Sequence, residues 1–176
     1  DNQEVMLTLG DIKHRADVLI GRTVTEFQRS DISSKAFSDR NNFYFNLGYK
    51  VIWVFDFREQ FASGRLRCEA DRKTFHWTKP RNTFNLYEIM TGQAELFFQI
   101  EDDGENALVK IANVSPSGFE QFTVSNWFSK DQFLKYLGIH NGCCAAPNHE
   151  DLSENEEYRR FCQQYGIALN KQQERA

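Results

Sequence analysis

An α+β or α/β fold, with a mixed sheet flanked by helices, is predicted by three features of the chain. Residues 5–28 hold three strand-like runs separated by glycine-containing turns. Residues 33–48 carry a helix with both ends marked. Residues 49–55 (YKVIWVF) are an uninterrupted apolar, β-branched and aromatic run of the kind a strand buried on both faces requires. A strand, a helix and a buried strand in that order call for a parallel crossover, right-handed by the twist of the strands.

In order along the chain, residues 5–9 form a strand closed by Gly10 and Asp11, and residues 15–20 and 23–28 form two more around Gly21 and Arg22, giving a three-stranded antiparallel meander. Ser33 or Ser34 supplies the side-chain cap of the helix. Ala36, Phe37, Arg40, Tyr44 and Leu47 share one of its faces, and Gly48 stops it. Further on, residues 95–100, 107–114 and 118–124 form an antiparallel set with turns at Asp103–Gly104 and Pro116–Ser117, and Ser129 opens a short helix to Leu137. Phe84, Phe97, Phe98, Phe119, Phe122, Phe128 and Phe133 read as core. The acidic segment from residue 150 leads into a helical tail that frays.

Composition narrows the functional classes. With 176 residues, 40% apolar and 14% aromatic, the chain has the material for one sizeable core and excludes a disordered protein. No run reaches the roughly 18 apolar residues of a membrane span, and the first residues lack a signal-peptide pattern, so a soluble, cytoplasmic protein is expected. A start without Met suggests that a longer protein has lost its front. Four cysteines, two of them adjacent, make no disulfide framework. The net charge of −4 gives no general nucleic-acid signature, so the distribution of charge has to decide.

The sharpest constellation lies on the second hairpin. With Gly21 first in a two-residue loop, Ile20 pairs with Thr23 and, counting back, Asp17 faces Glu26. Alternation puts Gln28 and Arg15 on that face, while Ala16, Val18, Ile20 and Phe27 turn to the other and pack. Directly opposed carboxylates repel unless something neutralises them. A divalent cation with oxygen ligands, Mg²⁺ above all, is one answer. The other is a solvated strand face on which Arg15 and Arg22 neutralise the pair.

These residues resemble a known family. Arg15-Ala16-Asp17-Val18, then Glu26-Phe27-Gln28-x-Ser30-x-Ile32-Ser33, then Arg40-Asn41-x-x-Tyr44, then Val51-Ile52-Trp53-Val54 resemble the nuclease domain of the competence protein CoiA-like family, a branch of the PD-(D/E)xK superfamily. The likeness covers residues 4–57. It implies the superfamily core, with Asp17 and Glu26 as ligands of Mg²⁺ or Mn²⁺ and as catalytic residues, and Gln28 where Lys is usual. Glu4 could stand in for a further acidic residue, and Arg40 would lie near the catalytic face, on phosphate or in a pair with a carboxylate. The implied activity is metal-dependent hydrolysis of DNA phosphodiesters, in DNA uptake or recombination. The alternative is a nuclease-fold module that binds DNA or a protein partner without turnover. The nuclease-like core would occupy residues 1–80, with a β-rich and helical C-terminal extension over 81–176.

Two weaker signals remain. Residues 58–81 hold seven Lys/Arg against three Asp/Glu, and Arg65, Arg67, Arg72, Lys73, Lys79 and Arg81 with Phe75, His76 and Trp77 could track phosphates and stack on bases; otherwise this is a solvated loop. His140, Cys143, Cys144 and His149 are zinc-ligand types at a spacing that closes a tetrahedron poorly.

Overall fold

The computed structural model describes residues 3–78, 94–102, 104–114 and 121–138. Their elements are β1 (Gln3–Leu9), β2 (Ile12–Ile20), β3 (Thr23–Gln28), α1 (Ser34–Asn46), β4 (Lys50–Asp56), α2 (Arg58–Ala62), β5 (Leu66–Cys68), β6 (Thr74–Trp77), β7 (Glu95–Gln99), β8 (Leu108–Val114), β9 (Gln121–Phe128) and α3 (Lys130–Tyr136). The described strands form one mixed sheet in the order β1-β2-β3-β4-β7-β8-β9-β6-β5. β3, β4 and β7 run parallel, and the other neighbours are antiparallel. The fold is α+β-like, and strands from beyond residue 80 join the same sheet, β7 pairing directly with β4.

The meander and crossover form for the reasons visible in the sequence. Gly21, at φ 55°, takes the first position of the loop that joins Ile20 to Thr23, a conformation an L side chain resists. Ser33 Oγ accepts the Ala36 N–H at 3.1 Å and caps α1. Gly48, at φ 78°, ends the helix and lets the chain return to β4. β4 then pairs along the whole of β3, from Thr23↔Lys50 to Gln28↔Phe55.

β4 is buried on both faces, and its alternation divides the core. Val51, Trp53 and Phe55 join Phe37, Phe43 and Tyr44 of α1 on one side. Ile52 and Val54 meet Phe97, Leu108 and Phe133 on the other, under α3. Burying each large side chain contributes about 1.5–3 kcal/mol, so this central strand anchors what is attached to it. Phe97, Phe98, Phe122 and Phe133 are buried as the sequence predicts, and Phe128 is partly buried.

Three expectations need correction. Residues 58–78 are not a solvated loop: α2, β5 and β6 form there, because the alternation in Thr74–Trp77 turns Phe75 and Trp77 inward and His76 outward. The last strand runs further than residues 118–124, of which 118–120 lie outside the described residues. It reaches Phe128 because the ladder to β8 continues past an irregularity, through Lys110↔Asn126 to Leu108↔Phe128. Strict alternation also fails in β2, as Ala16 and Leu19, an odd number of positions apart, both join the α1-side core. Asp103, Pro116, Ser117, Phe84, Phe119 and the acidic tail lie outside the described residues. No helix among the described residues is long and apolar enough to cross a membrane.

Candidate functional site

Glu26 is the centre of the site. It lies on β3 beside Trp53 of β4 and on the face covered by α1, and it is 1% exposed. A buried carboxylate needs partners, and α1 supplies two from one turn. Tyr44 donates its hydroxyl to Oε1 at 2.5 Å, and Arg40 donates Nη1 to Oε2 at 2.9 Å. Residues four apart stand above one another on a helix, which lets both reach one carboxylate. The Arg40 guanidinium also lies over the Trp53 ring, 5.7 Å from its centre.

Asp17 reaches the same place from β2. The β2–β3 ladder runs from Ile20↔Thr23 to Val18↔Thr25 and stops one step before Asp17 would face Glu26. There the Asp17 carboxylate accepts the Phe27 N–H at 2.7 Å, taking the place of a ladder bond. Its charge is felt at Glu26 and at Tyr44. Gln28, on the Glu26 face of β3, donates Nε2 to the Ser30 carbonyl at 2.6 Å and to Ser30 Oγ at 3.2 Å. This contact fixes the amide with its oxygen as the acceptor end.

Burial raises the Glu26 carboxyl above the ordinary carboxylate range, the Asp17 charge raises it further, and the Tyr44 and Arg40 bonds offset only part of this. Burial and the carboxylate beside it likewise push the Tyr44 hydroxyl up, so it stays protonated and donates. The sign of the linkage follows. The folded state binds Glu26's proton more tightly than the unfolded state. Stability from this group is therefore full below the ordinary carboxylate range and is lost as pH rises through the raised folded value. Glu26→Gln should flatten this part of the pH profile: between about pH 4 and 8 the wild-type melting temperature should fall relative to that of the variant. Parallel profiles would show that Glu26 is not the titrating group.

The other expected site residues lie elsewhere. Arg15 forms an exposed ion pair with Glu4 at 2.6 Å, and its neighbours His14 and Ala16 both pack on the α1 side, so Arg15 points to the opposite face. Arg22 donates to the Gly48 carbonyl, at the far end of the hairpin from Asp17. Phe27, expected to pack, is 49% exposed. In the basic stretch, Arg65 pairs with Glu59, Arg67 donates to the Gly64 carbonyl, and Arg72 bonds Asn106 and stacks on Trp127. Lys73 donates its backbone N–H to Asp71, and His76 meets Glu69 at 2.5 Å. Phe75 and Trp77 are core residues, Trp77 2% exposed, so neither ring is presented to a base. Lys79, Arg81, His140, Cys143, Cys144 and His149 lie outside the described residues. What the sequence reading missed is Tyr44 as a partner of Glu26; its position four after Arg40, on the helix face turned to β3, was the available signal.

Comparison with known families decides the assignment. The model of the family described as "Competence protein CoiA, nuclease-like domain" matches residues 3–132. The chain belongs to that family. The match takes in all the described strands of the CoiA nuclease-like domain, including those that carry Asp17, Glu26 and Gln28, and α1 with Arg40 and Tyr44. No curated protein and no solved structure matches.

Proposed function

We propose that this CoiA nuclease-like domain is a metal-dependent deoxyribonuclease of the PD-(D/E)xK type that hydrolyses DNA phosphodiesters, in the context of DNA uptake or recombination that the family name suggests. The observation that carries the reading is the convergence of Asp17 and Glu26 from neighbouring strands, with Gln28 on the Glu26 face.

The donor set fits a hard divalent cation. Each carboxylate offers about four lone-pair positions; Tyr44 and Arg40 occupy two on Glu26, and the Phe27 N–H occupies one on Asp17. No group of three or more His, Cys, Asp or Glu side chains gathers among the described residues. A cation held here by two carboxylates and the Gln28 oxygen would keep several waters, which suits Mg²⁺ or Mn²⁺ and not a structural zinc. When bound, it would supply Lewis-acid charge and an activated water for attack on phosphorus. The chain's own part is to hold the two carboxylates in place: α1 fixes Glu26 through Tyr44 and Arg40, and the Phe27 N–H fixes Asp17. Mn²⁺ titration should give one saturable site that Glu26→Gln weakens at least about tenfold. Equal affinity in the variant would remove Glu26 from the metal.

Gln28 supports a second reading. A neutral amide tied to Ser30 offers no positive charge at the reacting centre, which favours a domain that binds DNA or a protein partner with little turnover. Gln28→Lys separates the two. In a working nuclease the ammonium repels the cation, so Mn²⁺ affinity and cleavage should both fall. Faster cleavage at unchanged metal affinity would mark Gln28 as an attenuating residue and favour the second reading.

A further inference from the structure

The two partners of Glu26 differ in a way that matters for a cation. Tyr44 donates a neutral hydroxyl to Oε1, whereas Arg40 brings a full positive charge to Oε2 at 2.9 Å. A divalent ion on the same carboxylate repels the guanidinium and leaves the hydroxyl undisturbed. Arg40 has room to respond. Its side chain is 35% exposed, Nη1 is bonded to Glu26, and Nε and Nη2 have no bond to a described group. The Trp53 ring, 5.7 Å from the guanidinium, is a flat apolar floor over which it can turn.

Attack on a phosphodiester gathers negative charge on the phosphoryl oxygens, and the chain has few ways to meet it. Gln28 is neutral and its amide is tied to Ser30, Arg15 pairs with Glu4 on the opposite face, and Arg22 lies at the far end of the hairpin. Among the described residues, Arg40 is the one cationic side chain bonded to Asp17, Glu26 or Gln28. We infer that Arg40 is the phosphate-contacting residue of the site: it exchanges the Glu26 carboxylate for an oxygen of the DNA phosphate when a divalent cation binds, and so brings the positive charge that Gln28 cannot. The inference rests on the proposed function for the cation and the substrate. The reach is short, because neighbouring ligands on an octahedral ion with bonds of about 2.0–2.1 Å lie about 3 Å apart, which puts a phosphate oxygen beside Oε2 within a small turn of Nη1. A planar guanidinium matches two phosphate oxygens with parallel N–H donors. Tyr44 keeps its bond to Oε1 through the exchange, so Glu26 stays aimed.

The first test is calorimetric titration of the full chain with Mn²⁺, without DNA. With its competitor removed, Arg40→Gln should bind Mn²⁺ about fivefold more tightly than the wild type. An arginine that only positions Glu26 for the metal would give weaker binding on removal, and that result overturns the inference. Tyr44→Phe removes a neutral donor and should change the affinity less than about twofold; equal tightening in both variants would show that charge is not the cause. The second test is anisotropy of a fluorescent duplex across a NaCl series, in EDTA and in Ca²⁺, which takes the same oxygen ligands, with the duplex checked on a gel to be intact. In Ca²⁺ the slope of log affinity against log salt should be steeper for the wild type than for Arg40→Gln by about one, and in EDTA the two slopes should agree. Equal slopes in Ca²⁺ overturn the inference. The wild type also gives a readout that needs no variant to fold: the guanidinium nitrogen resonances of Arg40, identified by its contact with the Trp53 ring, should shift with Ca²⁺ and again with duplex, and constancy through the series overturns the exchange. Absence of a saturable Mn²⁺ site in the wild type sinks the nuclease reading and the inference together. A site that Glu26→Gln weakens but Arg40→Gln does not tighten sinks the inference alone. Exchange without cleavage leaves Arg40 as the phosphate contact of a binding domain.

Discussion

Asp17→Asn should lower Mn²⁺-dependent cleavage of DNA by about 100- to 1000-fold while leaving the fold in place. The amide keeps an oxygen that can accept the Phe27 N–H, now bonded to the carboxylate at 2.7 Å, so the geometry where β2 and β3 part is retained and only the charge is lost. Stability should shift by less than about 1 kcal/mol, because the bond is solvent-exposed. Removing the charge also relieves its repulsion of Glu26, which pushes the small shift toward greater stability in the absence of metal. Asp17→Ala is the coarser experiment, since it deletes the acceptor together with the charge. Undiminished cleavage by purified Asp17→Asn would place the activity elsewhere on the chain.

Arg40→Ala should destabilise the fold substantially by stranding the charge of Glu26. The Glu26 side chain is almost wholly buried, and Arg40 supplies the one positive charge bonded to it among the described residues. Breaking a buried pair by removing one partner typically costs 3–5 kcal/mol. Arg40 itself is about a third exposed, so solvent carries part of the interaction, and about 2–3 kcal/mol at pH 8 is the reasonable figure. The variant should recover at acid pH, where Glu26 takes up a proton and no charge is stranded. Adding Glu26→Gln should restore most of the loss at pH 8 as well. Urea denaturation of the two single variants and the double variant measures the coupling; additive losses would mean that Arg40 acts through its packing on Trp53 and not through the carboxylate.

Local rules carried the reading of the fold from residues 5 to 56. A two-residue loop at Gly21, a capping serine before α1 and a glycine after it are decided within a few residues of where they act, and the structure has each of them. Local rules also set the hairpin register as far as Val18↔Thr25. They did not show that the ladder would stop there, because that depends on the Asp17 carboxylate competing for the Phe27 N–H. The same is true of Ala16, whose packing on the α1 side is settled by what α1 offers, with His14 lying edge-on to Phe43. The basic stretch misled for a different reason: its charges are conspicuous in sequence, while the two-residue alternation that buries Phe75 and Trp77 is short and easily hidden among them. At the site, the carboxylates were visible as a motif. The grip of Tyr44 on Glu26 spans 18 residues and exists only once α1 has crossed the sheet.

The placement of Arg40 over Trp53 also gives the domain an optical reporter that needs no label. The charge of a guanidinium near an indole shifts its emission, and this one is shared with the carboxylate proposed to take the metal. Trp77 and Trp127 also emit, but Trp77 packs on Phe57, and Trp127 lies under Arg72 with its N–H on the Arg72 carbonyl. Substituting those two by phenylalanine would leave Trp53 as the only tryptophan, so anything that draws Arg40 away from Glu26 becomes visible as a colour change in the protein's own light.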